Sequence, residues 1–124
     1  MTDRERKVQE KMMRQIRDYN GYVYKNAQNM YTEKGRPDLT ACIPTTLKAL
    51  SELFGDDCQI GVFLGIEVKR DKKTYDASDA QEIVGRKIQK AKGLWFALDN
   101  NDILEALLLR LTKYNGGNDE TGNL

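Results

Sequence analysis

The stretch Gly65-Ile66-Glu67-Val68-Lys69 constrains this chain more than any other. Side chains in a strand alternate between faces, so Ile66 and Val68 are expected to point into a core while Glu67 and Lys69 project together on the opposite side. The apolar run extends back to Ile60 and makes the longest strand, with Gly65 leaving room beside Glu67 for something to approach the backbone. Upstream, the turn-type sequence Gly35-Arg36-Pro37 delivers Asp38 to the start of a second apolar strand that ends at Ile43. Two carboxylates and a lysine converging on one spot suit a divalent metal. Carboxylates about 4–6 Å apart repel by about 3–4 kcal/mol at an effective dielectric of about 20, so both stay ionised only with a cation between them. Lys69 offsets part of that repulsion. A hard, oxygen-seeking ion such as magnesium, which takes one or two protein carboxylates and keeps several waters, offsets the rest.

Composition narrows the chemistry by what is missing. The 124 residues contain no histidine, which removes serine–histidine and cysteine–histidine hydrolysis, histidine-based nuclease sites and most transition-metal sites. Cys42 and Cys58 are too few and too far apart for a zinc site or a disulfide framework, and they read as reduced, packed thiols. With 40% hydrophobic and 31% charged residues the chain fits one globular domain with a single core. The charged N-terminus lacks a signal-peptide pattern and no stretch reaches the length of a membrane span, so a cytoplasmic location without membrane contact is the expectation. Net charge is +1, yet from Glu67 to Lys92 eight lysines and arginines face five acids, a surplus of three beside the candidate cluster. That surplus fits a nucleic-acid partner and a solvated helix face equally.

Helical periodicity opens the chain. Residues 4–20 read as a helix with Val8, Met12, Ile16 and Tyr19 along one stripe, Glu5 at its edge one turn earlier, and Gly21 as its stop. Tyr22-Val23-Tyr24-Lys25 has strand composition, and residues 26–36 read as a loop. Asp38 and Glu67 lie 29 positions apart, far more than a hairpin needs. Pro44, Thr45 and Thr46 form a helix start in that interval, Leu47, Leu50, Leu53 and Phe54 its apolar stripe, and Gly55 its end. This inserted helix reads as packing, with a lid or a dimer surface as alternatives. Residues 70–76 form a charged loop whose Arg70, Lys72, Lys73 and Tyr75 are candidates for phosphate and base contact. Asp76 or Ser78 caps the next helix, whose Ala80, Ile83, Val84, Ile88 and Ala91 make a buried stripe with Gln81 on its flank; Gly93 ends it, and Leu94 to Leu98 is the last strand. Asp102 and Glu105 make a capping box for a final helix whose leucines cover more than one face, which fits a homodimer surface or an over-filled core. Residues 115–124 read as a disordered tail on a domain of residues 1–114. This order describes an α/β domain with a central mixed β-sheet flanked by helices, and an inserted helix between the two strands that carry Asp38 and Glu67.

The ordered set Gly35-Arg36-Pro37-Asp38, Glu67-Val68-Lys69 and a Gln81-bearing helix followed by an apolar strand resembles the VRR-NUC domain of the PD-(D/E)XK nuclease superfamily, over about Glu5 to Asp99. The resemblance implies a restriction-endonuclease-like core and a magnesium-dependent DNA nuclease in which manganese substitutes. It implies metal ligation by Asp38, Glu67 and the carbonyl of Val68, with Glu5 as the acid from the first helix and Glu10 as its alternative. Lys69 would orient the attacking water and help deprotonate it, and Gln81 would orient a water or a phosphate oxygen. Lys25 and Arg36 join the loop residues as DNA contacts. Stand-alone domains of this family, found in phages, resemble Holliday-junction resolvases, so branched DNA and a homodimer are the sharper expectations. The chain departs from the family at the inserted helix and at Ala91-Lys92-Gly93, where the family often shows Ala-Gly-Gly. A non-catalytic DNA-binding accessory protein on the same fold is the alternative.

Overall fold

A computed structural model of the chain describes residues 2–69 and 79–116 and arranges them as four helices and two small sheets, a mixed α/β protein. Thr2 starts α1 (Asp3–Asp18) with a complete capping box: its hydroxyl accepts the Glu5 N–H at 3.1 Å while the Glu5 carboxylate accepts the Thr2 N–H at 3.4 Å. At the other end Gly21 N–H reaches back to the Ile16 carbonyl at 3.0 Å and Asn20 N–H to the Arg17 carbonyl at 2.9 Å. Those two bonds form a Schellman turn, in which Asn20 takes the left-handed position with φ of 68°. Gly21 is required for a different reason from the expected one: a Cβ there would sit 2.7 Å from Ile16 Cγ2. The buried face of α1 is also rotated from the expected stripe. Gln9 and Met13 are buried, while Val8, Tyr19 and Met12, the last 47% exposed, face outward. The four-residue ribbon that α1 packs on is too narrow to cover a wide apolar stripe, so only its Met13–Ile16 edge is covered.

That ribbon pairs β1 (Tyr22–Lys25) antiparallel with β2 (Leu39–Cys42), with Tyr22 opposite Cys42 and Lys25 opposite Leu39. A second ribbon pairs β3 (Leu64–Val68) parallel with β4 (Leu94–Leu98), with Glu67 opposite Ala97. The expected single central sheet is thus two two-stranded sheets among the described residues. They meet where the Cys42 thiol donates to the Ala91 carbonyl at 3.5 Å and the Tyr22 ring stands edge-on to Phe63 at 6.3 Å between centroids. The expected strand from Ile60 begins at Leu64, because upstream of it only the Phe63 carbonyl finds a ladder partner, the Leu94 N–H at 3.0 Å.

Close approach decides which face of β3 is covered. In α3 (Asp79–Lys90) Gly85 lies against the Trp95 indole, and a Cβ there would fall 2.5 Å from the ring. On the strand side a Cβ at Gly65 would come within 3.1 Å of Ile88 Cδ1. Two missing side chains let the helix settle onto the Gly65–Glu67–Lys69 face. The expectation that Ile66 and Val68 enter the core is therefore overturned: Ile66 is 38% and Val68 77% exposed, and Glu67 and Lys69 are half-buried beneath α3. The same docking turns Gln81, Gly85 and Ile88 inward and leaves Ile83, Val84 and Ala80 of the expected stripe exposed. Gly85→Ala gains about 1 kcal/mol of helix propensity but drives a methyl into the indole at an overpacking cost of about 1–3 kcal/mol. A lower thermal midpoint by circular dichroism is the expected result, and a raised one would mean that α3 does not rest on Trp95.

The inserted helix is present as α2 (Leu47–Phe54), with the Thr46 hydroxyl accepting the Ala49 N–H at 3.1 Å. Most of its stripe does not pack: Leu47 is 82% exposed, and Leu53 and Phe54 are exposed beside it, while Leu50 is half-buried. The last helix, α4 (Asp102–Leu111), has Asn101 as its N-cap without a side-chain bond, so the expected Asp102–Glu105 capping box is absent; Asn100 Oδ1 accepts the Asp102 N–H instead. Ile103, Leu108, Leu109 and Leu111 remain exposed on it. Among the described residues the core is Met13, Val23, Cys42, Ile88, Ala91 and Leu98. No helix among the described residues is long and apolar enough to cross a membrane. Most of the proposed tail, residues 117–124, lies outside the described residues, as do the cap candidates Asp76 and Ser78.

Candidate functional site

Extended backbone carries β3 one residue past its end, where the Lys69 N–H donates to the Leu98 carbonyl at 2.7 Å. This keeps Lys69 on the same face as Glu67, under the first turn of α3. There Gln81 joins them. Lys69 Nζ donates to Gln81 Oε1 at 2.9 Å, and Gln81 Nε2 donates to Glu67 Oε1. The amide thus presents its carbonyl to the ammonium and its NH2 to the carboxylate, the favourable orientation of its dipole between opposite charges. Three of the four residues proposed for catalysis form one hydrogen-bonded row, all of them half-buried.

Asp38 sits apart from that row, exposed at the start of β2, with its carbonyl accepting the Asn26 N–H at 2.9 Å. Its carboxylate makes no hydrogen bond or ion pair among the described residues. Asp38 and Glu67 both lie toward the strand ends remote from the Cys42–Ala91 and Tyr22–Phe63 contacts. The turn that presents Asp38 is held by a residue the sequence reading missed. Asn26 is buried, and its Nδ2 donates to the Pro37 carbonyl at 2.8 Å and to Thr40 Oγ1 at 2.7 Å, while its Oδ1 accepts from Arg36 Nη2 at 3.0 Å. An asparagine directly after a strand is the available signal, since its side chain satisfies nearby backbone groups. Arg36, expected at DNA, is here a partner of this clasp.

Glu5 is committed to the helix cap, and the Thr2 hydroxyl and Thr2 N–H that bond its carboxylate hold its pKa below the ordinary value. Glu10, the alternative acid, lines a cavity of about 420 Å³ with Met13, Arg14, Arg17 and Lys25. Cys42 and Cys58 are both free thiols, and burial pushes the Cys42 pKa up. Arg70, Lys72, Lys73 and Tyr75 lie outside the described residues.

Among the described residues no group of three or more Cys, Asp or Glu side chains stands close enough to hold a metal ion. The donors that exist are carboxylate oxygens, Glu67 keeping one oxygen free of the Gln81 bond. Oxygen donors of this kind are those magnesium takes, whereas structural zinc is held chiefly by histidine nitrogen and cysteine sulfur. No protein-family model, curated protein or solved structure matches the chain.

Proposed function

We propose that this protein is a magnesium-dependent nuclease of the VRR-NUC type that hydrolyses phosphodiester bonds in DNA, with a restriction-endonuclease-like core. The observation that carries the reading is the Glu67–Gln81–Lys69 row, in which an amide fixes an acid and a lysine side by side on one strand. The ordered motif Gly35-Arg36-Pro37-Asp38, Glu67-Val68-Lys69 supports it from the sequence.

Asp38, Glu67 and the Val68 carbonyl would hold the metal. When bound, magnesium supplies Lewis-acid stabilisation of charge on the scissile phosphate. Lys69, held by Gln81 Oε1, would pass its ammonium proton to solvent and, as the free amine, take up a proton from the attacking water as the water oxygen bonds to phosphorus; the phosphorus–sugar oxygen bond breaks, and the departing oxygen is protonated from solvent. A lysine suits this because its compact ammonium gives up or shares a proton, which a guanidinium does not. Branched DNA is the preferred substrate in this reading, and a homodimer is its working form. The exposed Ile103, Leu108, Leu109 and Leu111 on α4 support the dimer.

The test is incubation with magnesium or manganese, and separately with EDTA, of a four-way junction, a flap, a linear duplex and single-stranded DNA. Metal-dependent cleavage of at least one, the junction first, is the expected result. Intact substrates across the whole set with both metals would remove the enzyme reading.

A further inference from the structure

The ends of α1 and α3 gather positive charge that the Glu67–Gln81–Lys69 row does not use. Arg17, in the last turn of α1, and Lys87 and Lys90, in the last turn of α3, line a cavity of about 290 Å³ over residues 20–23. The neighbouring cavity of about 420 Å³ shares Arg17 and adds Arg14, Lys25 and Glu10. Among the described residues none of these five cations forms an ion pair; the pairs present are Arg6–Asp3 and Arg86–Glu82.

Helix dipoles give a plainer account of part of this. A cation in a last turn is stabilised by about 0.3–1 kcal/mol, which covers Arg17, Lys87 and Lys90 one at a time. It does not cover Arg14 or Lys25, nor the convergence of two helix ends on one hollow. Five cations against the Glu10 carboxylate and two helix C-termini of about half a charge each leave about +3 on this surface. Surplus charge of that size without partners favours a polyanion.

We propose that this surface is a backbone-binding track for nucleic acid, distinct from the candidate catalytic row. It follows β1 from Tyr22 to Lys25, about 10 Å at about 3.3 Å per residue. A nucleic-acid strand carries one phosphate per about 3.4 Å of helix axis, so the track seats about three. Lys25 forms its end beside Asp38, since Lys25 pairs with Leu39 and the Asn26 N–H bonds the Asp38 carbonyl. The choice of DNA as the polyanion rests on the nuclease reading; the hollow and its charge do not.

The experiment is fluorescence anisotropy of a short labelled duplex in EDTA, where cleavage plays no part. Lys87→Glu with Lys90→Glu is expected to weaken binding at least about tenfold and to flatten the slope of log affinity against log salt by about 2. Lys48→Glu on exposed α2 with Lys113→Glu just after α4 is the charge-matched control and should change neither. Lys87→Gln with Lys90→Gln, which adds no repulsion, should flatten the slope in the same direction. Equal binding by the groove variants and the control overturns the proposal, as does a wild type that fails to bind. Polyglutamate competing as well as DNA at equal charge also overturns it, in favour of an acidic-protein site. Groove-dependent binding without cleavage in any metal sinks the nuclease reading and leaves the track standing.

Discussion

Lys69→Ala is expected to lower kcat for metal-dependent cleavage by about 10²–10⁴-fold, the range for loss of a positioned proton-transfer group. KM should move little, because the lysine is assigned to the water and not to holding DNA. Lys69 is half-buried with its ammonium 2.9 Å from Gln81 Oε1, so its position is set before substrate arrives. Preorganisation of that kind gives a single side chain a large kinetic effect. Lys69→Arg restores the positive charge and should not restore the rate, since a guanidinium stays protonated and its planar fork does not fit a contact made to one amide oxygen. The thermal midpoint separates this loss from unfolding: a half-exposed ion–amide contact contributes about 1.5 kcal/mol, the low end of the range for hydrogen bonds to charged groups. Cleavage by Lys69→Ala within a few fold of wild type, with both proteins folded, would take the lysine out of the mechanism.

The local elements were largely legible in the sequence, and their facings were not. Thr46 as a cap, the Tyr22–Lys25 and Leu94–Leu98 strands and the helix inserted before β3 all follow from short-range signals. The alternation that puts Glu67 and Lys69 on one face is equally local. Which face is covered depends on Gly65 and Gly85 meeting Ile88 and Trp95 across α3 and its sheet, and no periodicity announces that fit. Counting apolar residues put Ile83 and Val84 on the buried side of α3 with Ile88; shape keeps Ile88 and sets Gln81 and Gly85 in place of the other two. The same shape brings Gln81 onto the acid and the lysine, so the error in packing and the Glu67–Gln81–Lys69 row have one cause. Asn26 stayed hidden for another reason. Its partners, Pro37, Thr40 and Arg36, are 10 to 14 positions away, and a polar loop residue looks alike with or without them.

Gln81 offers the second large effect, and it separates positioning from chemistry. Gln81→Leu keeps much of the volume and removes both bonds, so Glu67 and Lys69 each lose the group that orients them. A loss of about 10–100-fold in activity is expected, typical of a residue that supports metal ligands without binding the metal. Gln81→Glu keeps the shape and reverses one contact: a second carboxylate faces Glu67, and at about 4 Å the repulsion is about 4 kcal/mol at an effective dielectric of about 20. In EDTA this variant should melt below both wild type and Gln81→Leu. Magnesium should then raise its midpoint by more than it raises the wild type, because the added carboxylate is relieved by the same cation that Glu67 would bind. Melting curves with and without magnesium read this directly, independent of any substrate. If all three proteins melt alike in EDTA and cut alike in magnesium, the amide bridge is incidental and the row is not a site. If Gln81→Glu melts low and magnesium does nothing for it, the bridge is real and Glu67 is not a metal ligand, which moves the search for the metal to Asp38 and Glu10.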